Sequence, residues 1–129
     1  MIVADSSVWI DFLNGRLNEK TRRLFILLES RELLIGDLIV CEILQGVRNE
    51  GESVRVTERL EAIPLASMVG RSIALKAAFN YRLLRHQGIT IRKTVDLLFG
   101  TFCIENGHQL LHNDRDFLPM VKHLGLAEV

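Results

Sequence analysis

Two short apolar runs, one near each end of the chain, both stop on an aspartate. Ile2-Val3-Ala4 leads into Asp5-Ser6-Ser7, and Gln109-Leu110-Leu111-His112 leads into Asn113-Asp114. Read as strands of one parallel sheet, the two runs point the same way, because helical crossovers return the chain to its starting edge. Carboxylates 109 positions apart then meet at one end of the sheet. Open α/β sheets bind ligands outside the carboxyl ends of their strands, where neighbouring connections depart in opposite directions. Acids gathered there point to a divalent cation and to phosphate chemistry.

The chain between these runs alternates helical and extended patterns. A helix is expected from about Val8, capped by Ser6 or Ser7 and ended by Asn14-Gly15. The next is expected from about Asn18 to Ser30, with Leu24, Phe25, Leu27 and Leu28 facing inward. Leu33-Leu34-Ile35 reads as a strand, and Gly36-Asp37 turns the chain into an apolar helix over about Leu38–Val47 that carries one carboxylate, Glu42. A helix over about Glu52–Glu61 precedes Ala62-Ile63-Pro64-Leu65, where the proline suits an edge strand. The longest helix should run from Ser67 to about His86, with Met68, Ile73, Leu75, Ala78, Phe79 and Leu83 near helical spacing and Gln87-Gly88 as its stop. Thr94 should cap a helix through about Glu105, with Asp96 in its first turn. A strand over His108–His112, a short helix from Phe117 and a final strand over Ala127–Val129 complete a doubly wound α/β domain.

A chain of 129 residues with 48% hydrophobic content and two prolines is expected to form one compact domain over residues 1–129. No apolar stretch approaches the roughly 20 residues that span a bilayer, and no signal-like segment opens the chain, so a cytoplasmic location without membrane association is expected. Cys41 and Cys103 match no C-x-x-C pattern and read as buried thiols; the four histidines have no zinc-ligand spacing. Phosphate-loop, dinucleotide and serine-elbow motifs are absent. Net charge is zero but unevenly placed. From Ala62 to Val95 there is no acid, while Arg71, Lys76, Arg82, Arg85, Arg92 and Lys93 give that stretch +6, leaving −6 for the rest. An acidic cleft beside a basic phosphate-binding flank fits that division, as does a solvated helix face.

Four acids stand out by position: Asp5, Glu42, Asp96 and Asp114. Each also has an ordinary explanation. Asp5 could end a strand and begin a turn, Glu42 could sit in an internal ion pair, and Asp96 could be a first-turn acid favoured by the helix dipole. Asp114 competes with Asp116, which fits an N-cap for the helix starting at Phe117 with Pro119 in its first turn.

In combination, Val3-Ala4-Asp5-Ser6-Ser7-Val8-Trp9-Ile10-Asp11, Glu42 within Cys41-Glu42-Ile43-Leu44-Gln45-Gly46, Asp96-Leu97-Leu98 and Asn113-Asp114-Arg115-Asp116-Phe117 resemble the PIN-domain ribonucleases. Within them the match is nearest to the small toxins of VapBC-type toxin–antitoxin pairs. The resemblance implies a PIN-like three-layer α/β/α domain with a central, mostly parallel sheet, and a Mg2+- or Mn2+-dependent endoribonuclease. It also implies a VapB-type antitoxin partner and an RNA substrate. Asp5, Glu42, Asp96 and Asp114 match the family's catalytic and metal-site acids, Ser6 or Ser7 the hydroxyl that supports the first aspartate, and Asn113 and Asp116 flank the last acid. Arg85 and Arg92 are the expected RNA contacts, and a homodimer is expected from the apolar N-terminal helix. Phe99-Gly100-Thr101 departs from the small-residue helix of many relatives and bears on packing. The alternative is a non-catalytic RNA- or partner-binding module of the same fold; a small-molecule phosphohydrolase is a third reading.

Overall fold

The computed structural model describes residues 1–129. Five strands, β1 (Ile2–Ala4), β2 (Leu33–Gly36), β3 (Leu65–Ala66), β4 (Gln109–Leu111) and β5 (Ala127–Glu128), form one sheet in the order β3-β2-β1-β4-β5. Every pairing is parallel, with Ile2 in register with both Leu33 and Gln109, and Ala4 with Leu111. The helices are α1 (Ser6–Leu13), α2 (Glu19–Ser30), α3 (Asp37–Gln45), α4 (Glu50–Glu61), α5 (Gly70–His86), α6 (Thr94–Asn106) and α7 (Leu118–Leu124), with a 3-10 turn at Arg115–Phe117.

From β1 the chain steps through β2 to β3, then crosses back to β4 and β5. Right-handed crossovers taken in these two opposite directions put α1–α4 on one face of the sheet and α5–α7 on the other. The packing follows that division: α1 touches α2 and α3, α3 touches α4, and α5 touches α6 and α7. The result is a three-layer α/β/α domain. Strands covered on both faces are mainly apolar, and Val3, Ala4, Leu33, Ile35, Leu110 and Leu111 are buried at the centre. β1 and β4 lie side by side, yet their connections leave toward opposite edges. The ends of these two strands therefore open a crevice.

Phe99-Gly100-Thr101 is absorbed by packing. All three are buried, and a Cβ at Gly100 would meet the end of the Met120 side chain and force it to shift, so glycine leaves Met120 its place between α6 and α7. Thr101 accepts a hydrogen bond from the Asn80 amide across α5 and α6 (3.2 Å).

Several expectations are corrected. α1 begins at Ser6 rather than Val8, because Asp5 is itself the N-cap. The third strand is only Leu65–Ala66, although it does occupy an edge, and Pro64 contributes its carbonyl to the Ile35 amide. Phe25 is exposed, since α2 needs only Leu24, Leu27 and Leu28 to cover α1 and the sheet. α5 starts at Gly70 and buries Ile73, Ala77, Asn80 and Leu84; Leu75, Phe79 and Leu83 form a second apolar stripe that faces out. Thr94 opens α6 without capping it, and Lys93 holds the cap position with no side-chain bond. Cys103 is buried but Cys41 is exposed, on the outward side of α3.

Candidate acidic site

Each acid reaches the crevice by a local rule. β1 ends at Ala4, so Asp5 stands at the sheet's carboxyl edge, and its carboxylate satisfies one of the first free amides of α1. Asp5 Oδ2 accepts from the Ser7 amide (3.2 Å) and the Ser7 hydroxyl (2.6 Å). The neighbouring hydroxyl serves another acid: Ser6 Oγ donates to Glu42 Oε1 (2.9 Å), tying α3 to the start of α1. The two serines thus divide the work, with Ser7 holding Asp5 and Ser6 holding Glu42. Asp96 sits in the first turn of α6, and Asp114 follows β4.

The turn after β4 reverses the sequence-based assignment of its two acids. Asp114, not Asp116, is the cap: its Oδ1 accepts from the Asp116 amide (2.9 Å) at the start of the 3-10 turn. The turn begins two residues before the α-helix expected from Phe117, so the accepting position moves back by the same amount, and α7 has no side-chain cap. Asp116 nevertheless stays close. Asp96, Asp114 and Asp116 each present an oxygen within 4.8 Å of the other two. Asn113 is exposed in the turn and takes no part in these bonds. Because asparagine keeps a cap and alanine removes it, Asp114→Ala should be less stable than Asp114→Asn by about 0.5–2 kcal/mol in urea melts, while Asp116→Ala and Asp116→Asn should match each other.

The electrostatics show that these acids share one space. Burial, and next to it the charge of Asp5, push the Asp96 carboxyl up from 3.8 to about 6; Asp114 and Glu42 push the same way and Lys93 opposes them. Asp5 and Asp96 are both more than nine-tenths buried, and Asp5 Oδ1 and Asp96 Oδ2 have no hydrogen-bond partner. An unpaired buried carboxylate oxygen is costly unless a cation faces it. Hard oxygen donors without a proton donor are the set that Mg2+ and Mn2+ favour, so the residues present fit a divalent ion.

One cation was missed in the sequence. Lys93 Nζ lies 3.7 Å from Asp114 Oδ2, and the charges of Asp96 and then Asp114 raise its pKa. Its signal was its place three residues before Asp96, which put it at the mouth of the crevice rather than in the general basic flank. Arg92 reaches the rim, 4.0 Å from Asp116 Oδ1. Arg85 packs over the Tyr81 ring near the end of α5 and pairs with none of the acids.

Comparison with known proteins gives the family and the fold. The PIN domain family model matches residues 2–121. A VapC ribonuclease of Mycobacterium bovis and ribonuclease VapC11 of Mycobacterium tuberculosis are each 27% identical over 120 residues, covering 91% of this chain and 89% of theirs. Among solved structures, VapBC-1 from nontypeable Haemophilus influenzae superposes with a TM-score of 0.73 at 20% identity, over 100% of this chain and 97% of the other. FitAcB from Neisseria gonorrhoeae gives 0.71 at 18% identity, over 99% and 96%. At such identities the superpositions speak to fold alone.

Proposed function

Because the chain belongs to the PIN domain family, we propose that it is an endoribonuclease toxin that hydrolyses RNA phosphodiester bonds with the help of Mg2+ or Mn2+ and is neutralised by a small VapB-type antitoxin. The observation that carries this reading is the pair of buried carboxylate oxygens, Asp5 Oδ1 and Asp96 Oδ2, left without partners beside the Asp96–Asp114–Asp116 group. Ribonuclease relatives that align over nine-tenths of the chain support the substrate class.

Asp5, Asp96 and Asp114 would hold the ion, with Glu42 completing the acidic wall and Asp116 within reach. A bound divalent ion supplies charge neutralisation at the scissile phosphate and acidifies a water near neutral pH. The chain's own groups do the rest. Ser7 and Ser6 fix the Asp5 and Glu42 carboxylates, so the donors need no rearrangement when substrate arrives. Lys93 brings a positive charge to the crevice mouth, where a backbone phosphate must pass an otherwise acidic entrance. Burial of Asp96 keeps bulk water from screening the site.

The test is cleavage of total RNA by the purified chain. Chelation with EDTA should stop cleavage and added Mn2+ restore it, while a phosphomonoester substrate should stay intact. Activity indifferent to chelation would overturn the metal role. RNA bound but never cut under added Mn2+ would favour a binding module instead. Arg92, and Arg85 farther along the basic flank, are proposed phosphate contacts. Each alanine replacement should flatten the salt dependence of single-stranded RNA binding by a slope of roughly 0.7, measured by fluorescence anisotropy.

The surface between α1 and α2 suits the proposed antitoxin. An apolar hollow of about 440 Å³ between α1 and α2 is lined by Phe12, Leu17, Phe25 and Ile26, with Arg16 and Arg22 at its edge. Leu17, Phe25 and Ile26 are more than half exposed, an arrangement suited to the apolar face of a partner helix. The outward stripe Leu75–Phe79–Leu83 on α5 is the proposed contact between two copies of the chain, in place of the N-terminal helix.

A further inference from the structure

We infer that His112 is a positioning residue for the acidic site, acting through the backbone of Asp114 and held in turn by Glu128 of β5. This inference rests on the metal-dependent reading above and names a part of the machinery that the four acids do not include.

His112 follows β4 directly and is buried, with its ring against Phe117 (centroids 5.0 Å apart). Both ring nitrogens are engaged. The Asp114 amide donates to His112 Nδ1 at 3.3 Å, and His112 Nε2 lies 2.8 Å from Glu128 Oε2. A nitrogen that accepts from an amide carries no proton, which assigns the proton to Nε2 and makes Nε2 the donor to the Glu128 carboxylate. The ring therefore reads two different partners through two different atoms, and only one tautomer serves both. Its orientation is fixed from the far side by β5, a strand paired to β4 through Gln109–Ala127 and Leu110–Glu128.

Asp114 gains three fixed points from this arrangement. His112 holds its amide, the Asp116 amide holds Oδ1, and Oδ2 is left facing Lys93. The Phe117 amide also donates to the Asp114 carbonyl (3.3 Å), so the histidine secures the amide side of a residue whose carbonyl side is already held, where a strand gives way to a 3-10 turn. Groups that orient a metal's ligands without touching the metal commonly govern affinity by about 10–100-fold. A carboxylate at the end of a strand but before a short turn depends on such a support more than one set inside a helix, as Asp96 is.

The two functions of the ring separate by substitution. The carbonyl oxygen of asparagine sits near the place of Nδ1 and can accept from the Asp114 amide, whereas the longer glutamine places its amide group near Nε2 and reaches Glu128 instead. The experiment is Mn2+ titration calorimetry on the full chain, together with RNA cleavage and a melting curve for each variant. His112→Gln should weaken Mn2+ binding and kcat by about 10–100-fold. His112→Asn should recover most of both at whatever melting temperature it shows. Glu128→Ala provides a second arm should His112→Gln not fold, since Glu128 is exposed on an edge strand; freeing the ring should weaken Mn2+ binding several-fold. Equal losses in the asparagine and glutamine variants would make His112 a packing residue and overturn the inference, as would wild-type Mn2+ affinity in both His112→Gln and Glu128→Ala. A wild-type chain that binds no Mn2+ would instead remove the metal-dependent reading itself, and this inference with it.

Discussion

An Asp96→Asn protein is expected to melt at a higher temperature than the parent in EDTA at pH 7, and to cut RNA more than about 100-fold more slowly. The slowing exceeds what loss of a mere supporting group costs a metal site, because Asp96 offers a buried oxygen that nothing else satisfies. The stabilisation has the opposite origin. At pH 7 the parent must keep Asp96 ionised inside the protein, beside Asp5, Asp114 and Glu42, although burial and those charges hold its pKa at about 6. A shift from 3.8 to about 6 corresponds to roughly 3 kcal/mol of penalty at neutral pH. Asparagine removes it and forfeits only the favourable dipole placement of a first-turn acid, about 0.3–1 kcal/mol. A net gain of roughly 2 kcal/mol should appear in chemical denaturation. Equal stability of the two proteins in EDTA would mean that the four acids do not strain the fold, and a variant that cuts normally would return Asp96 to the role of a first-turn acid favoured by the helix dipole.

The same group sets the pH response of the metal-free parent. In the folded protein Asp96 holds its proton up to about pH 6, while in the unfolded chain it releases it near 3.8. Between those values the folded state binds more protons, so the contribution of Asp96 to stability falls as pH rises, is lost by about pH 6 to 7, and stays level above. Denaturation in EDTA at a series of pH values should show this decline, and the Asp96→Asn protein should lack it. Added Mn2+ should reverse the trend, because an ion that binds only the ionised folded site stabilises more as protons leave. A parent whose stability rises with pH across this window in EDTA would contradict the burial of an unpaired acid.

The positions of Asp5, Glu42, Asp96 and Asp114 were legible because each breaks a local pattern: two end apolar runs, one opens a helix and one interrupts an apolar helix. The alternation of strand and helix was legible for the same reason, and it leads to the three-layer fold. Other features depended on geometry that spacing does not carry. Asp114 and Asp116 are two residues apart, and which one caps turns on whether the following turn is α or 3-10. Leu75, Phe79 and Leu83 recur every fourth residue, as a buried stripe would, yet α5 turns its Ile73–Ala77–Leu84 side inward. Periodicity identifies a stripe and cannot say which of two stripes meets the neighbouring helices α6 and α7. Cys41 was hidden by its apolar neighbours in α3, a helix that packs against α1, α4 and β2 yet leaves Cys41 exposed. His112 reads as one more residue at a strand end until the Asp114 amide and Glu128 are seen on its two nitrogens.

The central placement of β1 between β2 and β4 also sets a timetable. Residues 2–4 emerge during synthesis long before their neighbour on one side, residues 109–111. A nascent chain that has already built β1, β2 and β3 therefore holds Asp5 but still lacks Asp96, Asp114 and Asp116, most of its acidic wall. Pairings of such long sequence separation form late and slowly. The acids come together at the sheet's carboxyl edge only once β4 has docked beside β1, so any fragment that stops short of β4 lacks the assembled site.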